Sequence, residues 1–248
     1  MPASDANPDW LHVFRALTIT HGVALSLFVS GVGWAIWFAR RHRGTPRERA
    51  LRRVMCRLVW VTALANIVWY ALPMNFAWEK ALPLQVCDLA ALCAGVALGP
   101  GWRWSRTVLF FWGLLLSSQG LLTPTLEVGP AHARFWLFWS LHFAIVGSAL
   151  YDLAALGYRP RWPDLRLAWG VSLGYGALVS AINIPFGFNY GYIGPSKPGA
   201  PTIIDALGAW PMRVIWLAMI VLGLQTLAWA GFVLTERGRR PGKSEPRR

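Results

Sequence analysis

Seven stretches of the chain are almost wholly apolar, and short segments rich in arginine, proline and glycine separate them. Each runs for about 16–24 residues, close to the length that an α-helix needs to cross a hydrocarbon layer roughly 30 Å thick. The fourth is short for a span, so we expect it to tilt or to extend into the flanking GWRWS and LLTPT. The predicted spans are residues 16–39, 55–72, 82–98, 107–122, 135–156, 167–186 and 212–234.

The distribution of basic residues orients these spans. Alternate loops and the C-terminal tail carry eight, two, three and six Lys or Arg residues, which is 19 of the 24 in the chain. Cytoplasmic loops of membrane proteins carry such an excess of positive charge. The pattern therefore predicts an all-α, polytopic membrane protein of seven transmembrane helices. It forms a single domain over 1–248, with its N-terminus outside and a basic cytoplasmic tail at 235–248.

Composition supports this fold class and removes other functions. Of 248 residues, 55% are hydrophobic and only 14% are charged, whereas soluble domains carry about 25% charged residues. The net charge of +13 follows from the cytoplasmic arginines, and no basic surface interleaved with aromatic residues suggests nucleic-acid binding. The polar N-terminus, MPASDANPDW, does not resemble a cleavable signal peptide.

Motifs for cofactors and metals do not occur in the sequence. The three cysteines, Cys56, Cys87 and Cys93, lack the spacing of a disulfide framework, a metal site or a haem attachment site. The last predicted span, VIWLAMIVLGLQTLAWAGFVL, contains no lysine, so a retinal Schiff base of the rhodopsin kind is excluded. We therefore expect no cofactor and no metal.

Once the spans are oriented, most polar residues inside them fall in the outer half of the membrane. They are His21, Asn66, Gln85, Cys87, Asp88, Ser117, Ser118, Gln119, His142 and Asn183. Charged groups in a span are costly and usually face the bundle interior or a polar cavity. The distribution predicts such a cavity near the outer side. The cytoplasmic half shows little comparable except Asp152, for which Arg159 or Arg161 is the expected partner.

Several of these residues have a structural explanation beside the functional one. Asp88 could be an interfacial charge, or an acid favoured by a helix N-terminus. Asn66 and Asn183 could form hydrogen bonds between helices. His142 is harder to explain in this way, because the surrounding WLFWSLHFAIVG is apolar and a lone imidazole there needs a partner.

Cys87 is the sharpest candidate for chemistry. Pro83 is predicted near the first position of the third helix, which leaves Cys87 about one turn in, where the helix dipole favours a reactive thiolate. Asp88 and Gln85 project about 100° and 200° away from it around the helix, so a base would have to come from another helix. His142, at similar depth, would complete a Cys–His pair of the kind used in acyl transfer.

Three features together resemble the YwaF-like bacterial membrane proteins. They are PLQVCDLAAL in the third span, the lone histidine of the fifth, and NYGYIGPSKPGAPTIIDALGAWPMRV near the end of the chain. The resemblance extends from about the second span to the seventh. That family is related to a vertebrate transmembrane acyltransferase that remodels ether phospholipids.

The resemblance implies a cysteine nucleophile in the third span and a histidine in the fifth, which correspond to Cys87 and His142. Cys87 would carry the acyl group as a thioester while His142 takes and returns the proton. Gln85, Asn183 or the start of the third span would stabilise the oxyanion. The residues expected to bind substrate or to shape the outer rim are Gln85, Asp88, Asn66, Gln119, Asn183, Asn189, Tyr190 and Asp205.

The leading functional hypothesis is therefore an acyltransferase or transacylase acting on phospholipid, in the inner (cytoplasmic) membrane of the cell, with membrane lipid as its partner. The alternative is a transporter or ligand-binding protein that uses the same cavity. The off-centre position of the polar residues and the absence of an internal repeat count against transport. A structural or assembly protein is the third hypothesis.

Overall fold

The computed structural model describes residues 9–195 and 203–238 as a bundle of α-helices, with no β-strand in those ranges. The helices are α1 Asp9–His12, α2 Ile19–Arg41, α3 Pro46–Ala71, α4 Trp78–Ala81, α5 Val86–Leu98, α6 Arg103–Val108, α7 Gln119–Leu122, α8 Ala133–Ala154, α9 Trp162–Phe186 and α10 Met212–Gly238. A π-helical segment, Leu109–Leu114, continues α6, and 3-10 turns lie at Tyr190–Tyr192 and Ile203–Leu207.

Six segments of this fold are long and apolar enough to cross a membrane. They are Ile19–Arg41, Pro46–Ala71, Trp78–Leu98, Ala133–Ala154, Trp162–Phe186 and Met212–Thr235. Large side chains on their outer faces, such as Leu27, Leu178 and Leu227, are more than half exposed. Exposed apolar surface of this extent is typical of contact with lipid. The prediction of a multi-pass, all-α membrane protein is confirmed.

The fourth predicted span, 107–122, is helical but discontinuous. Helix α6 passes into the π-helical segment, whose wider turn brings the Ser117 backbone N–H to within 2.8 Å of the Trp112 carbonyl oxygen. A bend in the chain, the turn at 116–118, then separates this segment from α7. Leu109 and Phe111 are completely buried, so protein rather than lipid surrounds the segment. Helical structure extends back into GWRWS, as expected for so short a stretch.

Small residues on α5 allow the centre of the bundle to pack closely. Ala90, Ala91 and Ala94 have no exposed surface, and α5 lies against both α3 and α8. A side chain at Gly95 would place its Cβ 2.5 Å from the Trp60 ring, so only glycine fits there. Membrane helices use such residues to approach one another, and here they hold α5 in a fixed position.

The start of α5 differs from the prediction. Pro83 does not open the helix but lies in the turn between α4 and α5, and Gln85 with extended backbone angles is the N-cap residue. The Tyr175 hydroxyl donates a hydrogen bond of 2.7 Å to the Leu84 carbonyl oxygen. This contact from α9 holds the turn and delays the helix until Val86. Cys87 is consequently the second helical residue.

The end of the bundle where α8 finishes and α9 begins is more polar than predicted. Asp152, 2% exposed, pairs with Arg106 through Nε–carboxylate distances of 3.0 Å. This corrects the expectation of Arg159 or Arg161, because the Arg159 guanidinium donates instead to the backbone oxygens of Leu153 and Tyr158. Arg106 lies on α6, which is inside the bundle, and its guanidinium therefore pairs with Asp152.

A second ion pair reinforces this end. The Arg103 guanidinium binds the buried Asp164 carboxylate, with Nε 2.9 Å from Oδ1, and this bond raises the pKa of Arg103. Asp164 also accepts a 2.6 Å hydrogen bond from the Arg161 backbone N–H, which caps α9. Burial raises the pKa of the Tyr158 phenol beneath the two arginines. These pairs tie α6 to α8 and α9.

Replacing Arg106 with Gln would leave the Asp152 carboxylate buried without its cation. We expect this change to lower the free energy of unfolding by about 3–5 kcal/mol, the usual result of removing one partner of a buried pair. Thermal unfolding of the detergent-solubilised protein measures it. Arg53→Gln, which removes an exposed guanidinium, is the matched control, and the double variant Arg106→Gln/Asp152→Asn should recover part of the loss. Equal midpoints for Arg106→Gln and Arg53→Gln would contradict the importance of this pair.

Candidate functional site

The first turn of α5 presents a thiol and a carboxylate next to free backbone donors. Gln85 is the N-cap residue, and Cys87 and Asp88 are the second and third helical residues. The first N–H groups of a helix have no partner within the helix, and the Leu89 N–H is the first to bond back, to the Gln85 carbonyl oxygen at 3.2 Å. The turn therefore offers donors for an oxygen anion beside the Cys87 sulfur.

Cys87 is partly buried between α5, the bend after the π-helical segment, and the loop after α9. The fully buried Ser117 side chain lies beside its thiol. Tyr192, from the loop, is near enough for its phenol to interact electrostatically with the thiol. Both thiols pack against the apolar core, but Cys93, six residues further along α5, shows no comparable polar neighbour within the described residues. The structure thus distinguishes the two cysteines of α5 by their surroundings.

His142 is buried in α8 in one defined tautomer. Its Nδ1 lies 2.8 Å from the Phe138 carbonyl oxygen. Because a carbonyl oxygen can only accept, Nδ1 must carry the proton, and Nε2 is left with a lone pair. The imidazole also packs against the Phe138 ring at 4.3 Å between centroids. The ring is therefore held with its basic nitrogen directed away from its own helix.

The basic nitrogen of His142 faces the start of α7. A Cβ on Gly120 would lie 2.3 Å from Nε2, so the imidazole rests directly on the glycine backbone. The Gly120 N–H is in turn bonded to the Ser117 carbonyl oxygen at 3.1 Å. Cys87 and His142 thus approach the same short turn, 117–120, from α5 and from α8. This turn is the common boundary of the two predicted catalytic residues.

Arg134 lies near His142 at the start of α8, and it is not among the site residues predicted from the sequence. Its guanidinium lies over the Tyr70 ring at 5.2 Å and over the Phe138 ring at 5.7 Å. It interacts electrostatically with both Asp88 and His142. The signal available in the sequence was its position eight residues before His142, which places both on one side of a helix about two turns apart.

Asn66 stays a candidate for this region. It is 5% exposed, and its Oδ1 has no hydrogen-bond partner within the described residues. It lies one turn before Tyr70 on α3, so both side chains emerge from the same helix face. Gln119 belongs to the turn that separates Cys87 from His142, but it is exposed at the start of α7.

Three other residues predicted to bind substrate form hydrogen bonds that hold the loop after α9. The Asn183 amide both donates to the Tyr190 carbonyl oxygen and accepts from the Tyr190 N–H, each at 2.9 Å. Asn189 accepts a 2.9 Å bond from the Gly194 N–H. The Tyr190 hydroxyl donates to the Trp78 carbonyl oxygen at 2.6 Å. These bonds hold the loop after α9, residues 187–195, over the start of α5, and we call this loop the wall.

Two further sets of contacts hold the wall in place. The Gln85 Oε1 accepts a hydrogen bond of 3.2 Å from the Gly191 N–H. Asp205 forms an ion pair with the buried Arg213 of α10, which also donates to the Gly194 carbonyl oxygen. Gly191, with φ of +63°, and Tyr192, with φ of +60°, adopt left-handed conformations here. Such a conformation is uncommon for tyrosine, and the surrounding bonds impose it.

Surface grooves include one along α2 at Ile19–Ser30 and one between α9 and α10 near Trp210. Neither is lined by Cys87 or His142. Within the described residues, no three His, Cys, Asp or Glu side chains are grouped as a metal site would require.

These observations define a multi-pass helical membrane protein that brings a thiol, an imidazole and a guanidinium to the same end of the bundle. The sequence matches the profile of the TMEM164 family over residues 16–229, and the chain belongs to that family. Neither the curated proteins nor the solved structures include a significant match.

Replacing Gly120 with Ala tests the contact between this turn and His142. The new methyl group would overlap the imidazole, and we expect a loss of roughly 1–3 kcal/mol in the free energy of unfolding, as for other overpacked sites. Gly174→Ala is the matched control, because a Cβ there meets no atom within 4 Å. It should be neutral or stabilising by up to about 1 kcal/mol. Equal stability of the two variants in thermal unfolding would contradict the contact.

Replacing Asn183 with Ala should loosen the wall. Both hydrogen bonds to the Tyr190 backbone would be lost, so we expect faster amide hydrogen exchange in residues 187–195, measured by mass spectrometry. Ile184→Ala alters the next residue, which is 61% exposed, and should leave exchange in the loop unchanged. Unaltered exchange in the Asn183 variant would show that other contacts hold the loop.

Proposed function

We propose that this protein is a membrane-embedded acyltransferase or transacylase that acts on phospholipid acyl esters through Cys87 and His142. The observation that carries the proposal is the fixed tautomer of His142. Its Nδ1–H is bonded to the Phe138 carbonyl oxygen, so Nε2 is available as a proton acceptor. A buried imidazole held in this way is suited to general-base catalysis.

In the first half-reaction, a shift of the 117–120 turn, which stands between the two side chains, brings His142 Nε2 to the Cys87 thiol, where it takes the proton. The thiolate attacks the carbonyl carbon of a phospholipid ester. The tetrahedral intermediate collapses with cleavage of the carbon–oxygen bond of the ester. The departing lysophospholipid oxygen receives the proton from His142. The acyl group is left on sulfur as a thioester.

In the second half-reaction, His142 takes a proton from the hydroxyl group of an acceptor lysophospholipid, whose oxygen attacks the thioester. The carbon–sulfur bond breaks, and the Cys87 thiolate recovers a proton from His142. The products are a new phospholipid and the free thiol, so no oxidant, metal or nucleotide is consumed. Buried surroundings would exclude water and favour transfer to a lipid alcohol over hydrolysis.

The oxyanion of each tetrahedral intermediate would be stabilised by the first backbone N–H groups of α5. These groups point beyond the N-terminal end of the helix and have no partner within it. The Gln85 side-chain amide retains its N–H donors, since only its Oε1 is bonded to Gly191. Asn183 is not assigned this role, because its amide oxygen and nitrogen each already bond the Tyr190 backbone.

The proposal extends to position in the cell. We infer seven membrane-crossing segments, with the discontinuous 107–122 segment as the fourth, an external N-terminus and a cytoplasmic C-terminus. The charge asymmetry of the loops supports this orientation. It places the site at the outer side of the cytoplasmic membrane of a bacterial cell, in keeping with the YwaF-like resemblance, where phospholipid of the outer leaflet is the substrate.

Cys87→Ala should abolish acyl exchange between a donor phospholipid and a fluorescent lysophospholipid, because no thioester can form. His142→Gln should lower the rate by about 10²–10⁴-fold, the usual contribution of a general base. Cys93→Ala, on the same helix, is the matched control and should retain the wild-type rate. Mass spectrometry of the wild type after donor addition should find an acyl group on Cys87 that hydroxylamine removes. Equal exchange by wild type and Cys87→Ala would overturn the proposal.

A further inference from the structure

Arg134 is the feature of this region that the proposed chemistry leaves unused. Its guanidinium carries a buried nitrogen, Nη1, that has no hydrogen-bond partner among the residues that the structure describes. A guanidinium nitrogen withdrawn from water without an acceptor is costly. The cost is offset when an anion binds, so the orphaned nitrogen indicates a ligand rather than a structural contact.

The guanidinium is also held in place. The rings of Tyr70 and Phe138 lie 5.2 and 5.7 Å from its central carbon, on α3 and α8 respectively. Cation–π contacts on two helices restrict the long side chain. A pre-oriented guanidinium loses little entropy on binding an anion and presents its donors in a planar fork that matches phosphate.

The nearest acid does not neutralise Arg134 directly. Asp88 and Arg134 interact electrostatically, but no ion pair joins Arg134 to a carboxylate in the described part of the chain. Asp88 lies instead at the backbone N–H of Gln85. The two charges therefore stand on opposite helices, α5 and α8, and a bound anion at Arg134 would not have to displace a salt bridge.

The position of Arg134 on α8 relates its guanidinium to the proposed acyl-transfer residues. Arg134 lies eight residues before His142 on α8, which is about 12 Å along the helix axis at 1.5 Å per residue. The glycerol of a phospholipid links its phosphate to its ester groups, so only a few bonds separate the phosphate from an ester carbonyl. A phospholipid with its phosphate near Arg134 can extend its ester inward along α8 toward the turn 117–120.

We propose that Arg134 is the phosphate-binding residue of a headgroup subsite at the outer end of α8. It would select lipids that carry a phosphodiester over neutral glycerides with the same acyl chain. This inference rests on the proposed function for the identity of the substrate, but it concerns binding and not the chemical step. The same donors could bind free inorganic phosphate, and the experiment separates the two sources.

The test measures binding to the Cys87→Ala protein, which cannot be acylated. Lysophospholipid and monoacylglycerol of the same chain length are titrated in neutral detergent, and their affinities are compared by microscale thermophoresis. We expect lysophospholipid to bind roughly tenfold or more tightly, the ratio that one charge-assisted contact supplies. Adding Arg134→Gln should reduce this ratio to near one, whereas Arg134→Lys should keep part of it.

Arg15→Gln is the matched control, because it removes an exposed arginine from the same predicted side and should leave the ratio unchanged. If millimolar inorganic phosphate competes with lysophospholipid at Arg134 but not in the Arg134→Gln variant, the site takes free phosphate as well. Should Arg134→Gln fail to fold, Arg134→Lys and Tyr70→Leu, which removes one supporting ring, must each lower the ratio. The proposed subsite is overturned if the Cys87→Ala protein binds lysophospholipid and monoacylglycerol with similar affinity. It is also overturned if replacing Arg134 leaves the ratio of the two affinities unchanged.

Failure of the proposed function gives a different result. If Cys87→Ala retained acyl exchange, the cysteine mechanism would be wrong, yet the phosphate preference of Arg134 could still be measured. If the exchange assay supported Cys87 while the ratio did not depend on Arg134, only the headgroup subsite would be lost. The two sets of measurements therefore test the two proposals separately.

Discussion

The close packing of α5 against α3 and α8 is the constraint on which the end of the bundle around Cys87 and His142 depends. The alanines at 90, 91, 94 and 97 have almost no exposed surface, and Gly95 lies directly on the Trp60 ring. Larger residues would move α5 outward, because interiors at crystal-like density cannot absorb the extra volume. With α5 fixed, its first turn is brought against the 117–120 turn, which His142 approaches from α8. The position of the candidate catalytic residues thus depends on alanine and glycine residues that take no part in the reaction.

Much of the fold could be predicted from apolar segments alone, because six of them form long helices whose outer faces must match the bilayer. The 107–122 segment could not be predicted in detail. Its π-helical turn and bend depend on packing between α5, α8 and α9, which no local pattern records. The start of α5 was misplaced for the same reason: Tyr175, 91 residues away, holds Leu84 in the preceding turn.

The candidate site could be predicted only in outline. Orientation by charge was enough to gather the polar residues of the outer half, but it could not separate those that face the site from those that hold the loop. Asn183 and Asn66 have the same chemistry and similar depth. The first bonds the Tyr190 backbone through both its oxygen and its nitrogen, and the oxygen of the second has no hydrogen-bond partner among the residues that the structure describes. Arg134 was not predicted, because the rings of Tyr70 and Phe138 that contact its guanidinium belong to two different helices, and only the tertiary structure brings them together.

The discontinuous fourth segment has a consequence for how the chain is assembled in the membrane. A helix that inserts alone must satisfy its backbone bonds internally and expose apolar side chains to lipid. The 103–122 segment is short, begins with two arginines, and breaks at a π-helical turn, so it is a poor independent inserter. Its buried surface is complementary to α5, α8 and α9 instead. The segment is therefore expected to settle only after its later neighbours have been synthesised, which makes assembly of the reactive end a late step in biogenesis.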